Sequence, residues 1–99
     1  MSYVTALPEM LASAAGDLQS IGCAVAAGNC AAATPTTGVV PAAADEVSAL
    51  TAAHFAGHGT LYQELSAQAT AIHELFVTTL GTSGFSYWCT EAGNAAQCL

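Results

Sequence analysis

Apolar residues between positions 45 and 80 recur at steps of three and four along the chain. These steps place side chains along one side of an α-helix, in the pattern of a helix that packs against another helix. The segment contains no proline, so it predicts one uninterrupted helix of about 36 residues and roughly 54 Å. The central row of this helix comprises Phe55, His58, Tyr62, Leu65, Ala69, Ile72, Phe76 and Thr79.

A second row of mostly apolar residues lies beside the first on the same predicted helix. It comprises Val47, Leu50, Ala53, Gly57, Leu61, Leu65 and Leu75. Together the two rows are wider than one antiparallel neighbour would cover. We therefore expect this helix to bury one face within the chain and another against a different protein.

The N-terminal third of the chain shows the same spacing and predicts a helix over about residues 8–33. Pro8 suits the first helical position, where its missing N–H is not needed, and the Glu9 carboxylate faces the positive end of the helix dipole. The predicted row comprises Leu11, Ala14, Leu18, Ile21, Val25 and Gly28. Its small residues indicate close approach of a neighbouring helix.

Prolines and glycines divide the rest of the chain. Residues 34–41, TPTTGVVP, contain two prolines and a glycine and predict the loop between two antiparallel helices. The second helix is expected over about residues 42–80, with Gly81 and Gly84 ending it. Residues 81–99 are then predicted to be a flexible tail.

These elements predict an all-α fold, an antiparallel two-helix hairpin within a single domain of 99 residues. Eleven residues are predicted to make the hairpin and partner contacts, and the pattern leaves open how they divide between the two. They are Leu11, Leu18, Ile21, Val25, Leu50, Phe55, Leu61, Tyr62, Leu65, Ile72 and Phe76.

Composition and charge narrow the range of partners. Hydrophobic residues make up 54% of the chain but aromatic residues only 7%, which suits closely packed helices better than a deep globular core. The chain has no Lys or Arg and seven Asp or Glu, for a formal charge of −7. It cannot neutralise phosphates or anionic lipid headgroups, so neither nucleic acid nor an anionic membrane surface is expected as a partner.

The N-terminus lacks the features of a classical signal peptide. It has no positive region, and Pro8, Glu9 and Asp17 interrupt its apolar residues. The most apolar continuous stretch, residues 21–33, is shorter than the roughly 20 strongly apolar residues that a bilayer requires. We therefore expect neither a signal peptide nor a transmembrane span.

Candidate chemistry is sparse. His54 and His58 are one helical turn apart, the spacing of two metal ligands, but a third ligand would have to come from another element because Glu64 and His73 lie two or more turns away. A hydrolase is not expected, since the chain has no Gly-x-Ser-x-Gly motif and no predicted strand to hold one. We predict that the protein is not an enzyme and binds no cofactor.

The four cysteines show no metal-binding spacing. Cys23 and Cys30 are seven residues apart, about 10 Å on a helix, which is too far for a disulfide. They are expected to be free, small core residues. Cys89 and Cys98 could pair with each other or with another chain, and the sequence leaves their redox state open.

Several of these features occur in the same order in one family. The chain resembles the PE proteins of mycobacteria in the Pro8-Glu9 pair near the N-terminus and in the run TPTTGVVPAAADEVSALTAAHFAGHGTLYQ. It also resembles them in having Tyr87 followed four residues later by Glu91. Trp88 and the four cysteines are not part of this family pattern.

The resemblance implies a hairpin that pairs with a hairpin of a PPE-family protein to form an elongated four-helix bundle. It also implies export through a type VII secretion system, with Tyr87 and Glu91 as part of the export signal. The protein would be cytoplasmic before export and then secreted or displayed at the cell surface, and a secretion chaperone would be reached through the PPE partner. Two alternatives stay open: a homodimeric hairpin that serves as a binding module, and a metal site at His54 and His58.

Overall fold

The computed structural model describes residues 6–97, which form two helices. Helix α1 spans Pro8–Thr37 and helix α2 spans Glu46–Gln97. Residues 38–45 connect them, and no strand occurs within residues 6–97. The prediction of an all-α helical hairpin is confirmed.

Both helix starts are stabilised locally. Pro8 is buried, and the carbonyl of Leu7 accepts hydrogen bonds from the amides of Met10 and Leu11 at 3.0 and 3.4 Å. Asp45 caps α2: its carboxylate accepts one hydrogen bond from the Ser48 amide at 3.1 Å and another from the Ser48 hydroxyl at 2.7 Å. The Ser48 hydroxyl, followed by the Ser48 amide, lowers the pKa of Asp45 below its ordinary value.

Helix α1 extends to Thr37, four residues past its expected end at position 33. Pro35 lies in its last turn, where a missing N–H removes only one intrahelical bond. The Thr36 and Thr37 hydroxyls add local bonds by donating to the carbonyls of Ala32 and Ala33, each at 2.6 Å. The loop therefore begins at residue 38 and not at residue 34.

Helix α2 starts at Glu46 and extends to Gln97. The sequence instead predicted a helix over about residues 42–80 and a flexible tail from residue 81. Gly84, which the sequence suggested as an end of the helix, is helical and buried against α1. A Cβ atom at Gly84 would lie 3.3 Å from the Leu11 Cβ and 3.4 Å from the Pro8 carbonyl oxygen. This glycine permits close approach of α1 and does not end the helix.

The contacts between the helices divide the chain into two compact units, one of Met1–Gly22 with His73–Leu99 and the other of Cys23–Ile72. In the first unit, the His73 Nε2 donates to the Leu18 carbonyl at 2.7 Å, in the tautomer that protonates Nε2. A Cβ atom at Gly22 would lie 2.8 Å from the same imidazole ring. Since Leu11 meets Gly84 whereas the later Leu18 meets the earlier His73, the two helices are antiparallel in this unit.

The second unit is also an antiparallel pair. The helices approach closely at Gly59, where a Cβ atom would lie 2.5 Å from the Thr36 carbonyl oxygen. Earlier in α1, Asn29 contacts Ser66, which lies later in α2. In this unit Ala52 is 6% exposed and Gly59 is buried, so small side chains lie at the centre of the pair; in the other unit, Ala15 is 8% exposed.

Helix α1 also passes a composition test for membrane spans. An 18-residue window within it reaches a mean hydropathy of 1.2, so the helix is long and apolar enough to cross a bilayer. This differs from the expectation that the chain has no transmembrane span. A core helix of a soluble protein and a signal sequence near the N-terminus pass the same test, so one such helix is weak evidence for a membrane location.

Candidate partner-binding surface

The central apolar row of α2 lies beside the hairpin contact and not within it. Each of its eight residues immediately precedes a residue that faces α1. Because successive residues are rotated by about 100° around a helix axis, the side chains of this row point about 100° away from the hairpin contact. The residues that face α1 are Ala56, Gly59, Gln63, Ser66, Thr70, His73, Val77 and Leu80, all buried or half-buried. The eight residues of the central row are all exposed.

The exposed row contains several of the large apolar side chains of α2. Phe55 is 64% exposed, Leu65 66% and Ile72 69%. The remaining predicted interface residues of α2 are likewise exposed: Leu50, Leu61, Tyr62 and Phe76. Small and polar residues therefore make up most of the α2 row that faces α1, with Val77 and Leu80 as its large apolar members, while Phe55, Leu65 and Ile72 remain largely exposed.

The predicted interface residues of α1 divide into two groups. Leu11 and Leu18 are half-buried and face α2. Ile21 and Val25 are 55% and 53% exposed.

Ile21 and Val25 each precede a half-buried residue, Gly22 and Ala26 respectively. In an antiparallel pair of right-handed helices, residues one position before the contact turn toward the same side on both helices. Val25 therefore shares a side with the α2 row in its unit. We call Val25, Phe55, Tyr62, Leu65 and Ile72 the apolar face; Ile21 and Phe76 have the corresponding position in the other unit.

A polar cluster around Asn29 connects the apolar face to the hairpin contact. The Tyr62 hydroxyl donates to the Asn29 Oδ1 at 2.7 Å, and the Asn29 Nδ2 donates to the Ser66 hydroxyl. The Gln63 Nε2 donates to the Asn29 backbone carbonyl at 3.0 Å. Sequence reasoning missed this cluster, although a lone Asn in an Ala-rich helix was a signal for it, because a polar side chain that packs against another helix needs a hydrogen-bond partner.

A groove opens next to Tyr62 in the Cys23–Ile72 unit. Its volume is about 470 Å³. Helix α1 contributes Asn29, Ala32, Pro35 and Thr36, the loop contributes Val39, and α2 contributes Phe55, His58, Gly59 and Tyr62. Phe55, His58 and Tyr62 also belong to the central row, so the groove opens on the same side as the apolar face.

The two residues of the predicted export motif lie near the end of α2. Tyr87 and Glu91 are exposed and are one helical turn apart, so their side chains lie on one face of the helix. Both follow Gly84, which packs against the first turn of α1. In the same part of the helix, Phe85 and Trp88 stack with ring centroids 6.2 Å apart and an interplanar angle of 17°.

The histidines do not converge on a metal site. Among residues 6–97, no group of three His, Cys, Asp or Glu side chains could hold a metal ion. His58 lines the groove, and His73 donates to the Leu18 carbonyl. The alternative of a metal site at His54 and His58 thus gains no third ligand from the described residues.

The cysteines differ from expectation in their burial. Cys23 and Cys30 are free thiols, as expected, but they are exposed and not core residues. Cys23 comes directly after Gly22, and Cys30 directly after Asn29, and both of these preceding residues face α2. Each cysteine is therefore rotated about 100° away from the hairpin contact. Cys89 is also exposed, and a pairing with Cys98 cannot be assessed because Cys98 lies outside the described residues.

Fold and surface together define the class: a small helical-hairpin protein whose large apolar side chains face outward. Residues 4–94 match the model of the PE family, and the chain therefore belongs to the PE family. This confirms the resemblance noted from the sequence. Membership in this mycobacterial family also suggests protein partners in general.

Three curated relatives from Mycobacterium tuberculosis H37Rv illustrate the match. The PE family protein PE13 is 66% identical over 96 residues, covering 97% of each chain. The PE family protein PE8 is 53% identical over 97% of this chain, which spans 35% of PE8. The protein named esterase PE16 is 52% identical over 97% of this chain, which spans only 18% of that relative.

Proposed function

We propose that this chain pairs through its apolar face with a PPE-family protein, forming a four-helix bundle in a non-enzymatic role. The observation that carries the proposal is the exposure of the whole central row of α2, while mostly small and polar residues of α2 face α1. Family membership supports the choice of partner.

The energetics favour a partner over a solitary hairpin. Burying one Phe, Leu or Ile side chain contributes about 1.5–3 kcal/mol. Phe55, Leu65 and Ile72 are each more than 60% exposed, so each still has most of that contribution to gain from a partner. A second apolar helix pair laid over this side would complete a bundle core of the usual kind.

Charge favours a different protein over a second copy. The chain carries −7 with no Lys or Arg, so a homodimer would bring two negatively charged hairpins together with no cation to offset them. A partner that contains Lys or Arg removes this penalty. The homodimer is kept as the alternative and makes a different prediction in the same experiment.

Co-expression with PPE-family candidates followed by size-exclusion chromatography tests the pairing. We expect a 1:1 complex with a strongly helical circular dichroism spectrum, whereas the isolated chain should be poorly soluble or melt without cooperativity. A soluble, cooperatively melting homodimer would support the alternative. A well-behaved monomer with a sharp transition that binds none of the candidates would refute both.

We further propose that Tyr87 and Glu91 act as an export signal for a type VII secretion system, which is reached while the pair is in the cytoplasm. On one helical face, the Tyr87 ring can fill a pocket while the Glu91 carboxylate binds a cationic or hydrogen-bonding site. The destination is the cell surface or the medium, and a secretion chaperone would bind the PPE partner. The exposure of both side chains supports this role.

A further inference from the structure

The groove beside Tyr62 has few free polar groups with which to bind a polar ligand. The Tyr62 hydroxyl donates to Asn29, whose side-chain nitrogen donates to Ser66. The Thr36 hydroxyl donates to the Ala32 carbonyl at 2.6 Å. Among the polar side chains that line the groove, only the His58 imidazole makes no hydrogen bond with the described residues.

Size and lining together indicate the kind of occupant. A volume of about 470 Å³ lies within the range of sites that hold organic groups, but small-molecule sites normally orient their ligand through several placed polar groups. Here the Asn29 side chain already accepts the hydrogen bond from the Tyr62 hydroxyl, so the tyrosine contributes mainly its apolar ring to the groove lining. An occupant without hydrogen-bonding needs therefore fits best, such as a large apolar side chain.

The position of the groove indicates where such a side chain comes from. Phe55 and Tyr62 belong both to the groove and to the apolar face, so a helix lying along that face would pass the groove opening. Insertion of apolar side chains from a helix into a groove is a common recognition mode. A second copy of this chain is the less favourable donor, since both copies carry −7 and have no cation.

We propose that this groove receives a large apolar side chain from a helix of the partner, a protein of different sequence that bears Lys or Arg. The inference rests on the proposed function and makes the groove an anchor point of that interface. Anchors of this type, well-packed pockets that hold one large side chain, commonly contribute a dominant share of binding energy.

Filling the groove from within the chain tests the proposal. Val39→Trp places a large ring at a groove-lining position in the loop, and the adjacent Val40→Trp is the matched control, because Val40 is 82% exposed and does not line the groove. Ala32→Phe fills the groove from α1, with Ala31→Phe as its control on an exposed position outside the groove.

Each variant is co-expressed with a tagged parent chain and a limiting amount of a PPE-family protein that forms the 1:1 complex. Mass spectrometry then gives the ratio of variant to parent in the purified complex. We expect Val39→Trp and Ala32→Phe to be depleted about tenfold or more, the loss typical of a blocked anchor pocket. Both controls should be incorporated like the parent.

Three results would overturn the groove proposal. The first is normal incorporation of Val39→Trp and Ala32→Phe, and the second is equal depletion of each variant and its control. The third is another occupant: a homodimer of the parent that Val39→Trp dissociates, or a bound small molecule that native mass spectrometry detects in the parent but not in Val39→Trp.

Leu65→Asp in the same assay separates binding at the apolar face from binding at the groove, because Leu65 belongs to the apolar face but does not line the groove. If Leu65→Asp is excluded from the complex while both groove-filling variants are retained, the apolar face binds the partner but the groove stays empty. If Leu65→Asp is also incorporated normally, the proposed function itself is refuted.

Discussion

Gly59 lies at a close approach of the two helices in the Cys23–Ile72 unit, which makes Gly59→Ala a sensitive test of the hairpin. A Cβ atom there would lie 2.5 Å from the Thr36 carbonyl oxygen, 2.8 Å from the Thr36 carbonyl carbon and 3.2 Å from its Cβ. Two of these atoms are backbone, so no side-chain rotation can relieve the clash. Helix α1 must move away from α2, and overpacking of this kind costs about 1–3 kcal/mol.

Gly57→Ala is the matched control on the same helix. A Cβ atom at Gly57 would have no neighbour within 4 Å, so this substitution should yield only the gain in helix propensity, about 0.8–1 kcal/mol. Gly59→Ala receives the same gain. The difference in unfolding free energy between the two variants should therefore equal the overpacking cost, about 1–3 kcal/mol in favour of Gly57→Ala.

Thermal unfolding followed by far-ultraviolet circular dichroism compares the isolated parent and both variants side by side. The readout is the temperature at which half of the helical signal is lost, which requires no cooperative transition, and this temperature should be higher for Gly57→Ala than for Gly59→Ala. The scans are repeated at several protein concentrations to exclude an effect of association. If Gly59→Ala melts at the same temperature as Gly57→Ala or higher, the close approach between Gly59 and Thr36 is wrong.

Three further predictions concern the partner, the export signal and the helix cap. Phe55→Asp or Leu65→Asp should abolish the complex, because burial of an unpaired carboxylate costs several kcal/mol. Both isolated variants should keep their helical spectrum, since both positions are exposed. Complex formation by both variants would place the interface elsewhere. Tyr87→Ala and Glu91→Ala should leave elution and melting of the complex unchanged while reducing its amount outside the cell, and normal export of both variants would remove the signal assignment. The lowered pKa of Asp45 means that its capping contribution is present above the ordinary value of 3.8 and is lost as pH falls through the lower folded value. Asp45→Asn, which also caps a helix, should lose less melting temperature on acidification than the parent, and equal losses would contradict the cap.

The amino-acid sequence by itself determined the class of fold and the family. Steps of three and four define helices in any environment, and Pro8 favours a helix start whatever packs nearby. The prolines and glycine of residues 34–41 require a connection close to that position. These signals are local, because they depend on backbone geometry within a turn or two.

Only the tertiary structure decided which side of each helix forms the hairpin. On α2 two neighbouring rows, turned by about 100°, both fit a helical period, and hydrophobicity favoured the row of Phe55 and Leu65. The hairpin instead uses the row of Gly59 and Ser66, because small residues let two backbones approach closely and Asn29 can bond across the contact. Gly84 was ambiguous for the same reason: a glycine that ends a helix and one that admits a neighbouring helix look identical until the neighbour is in place.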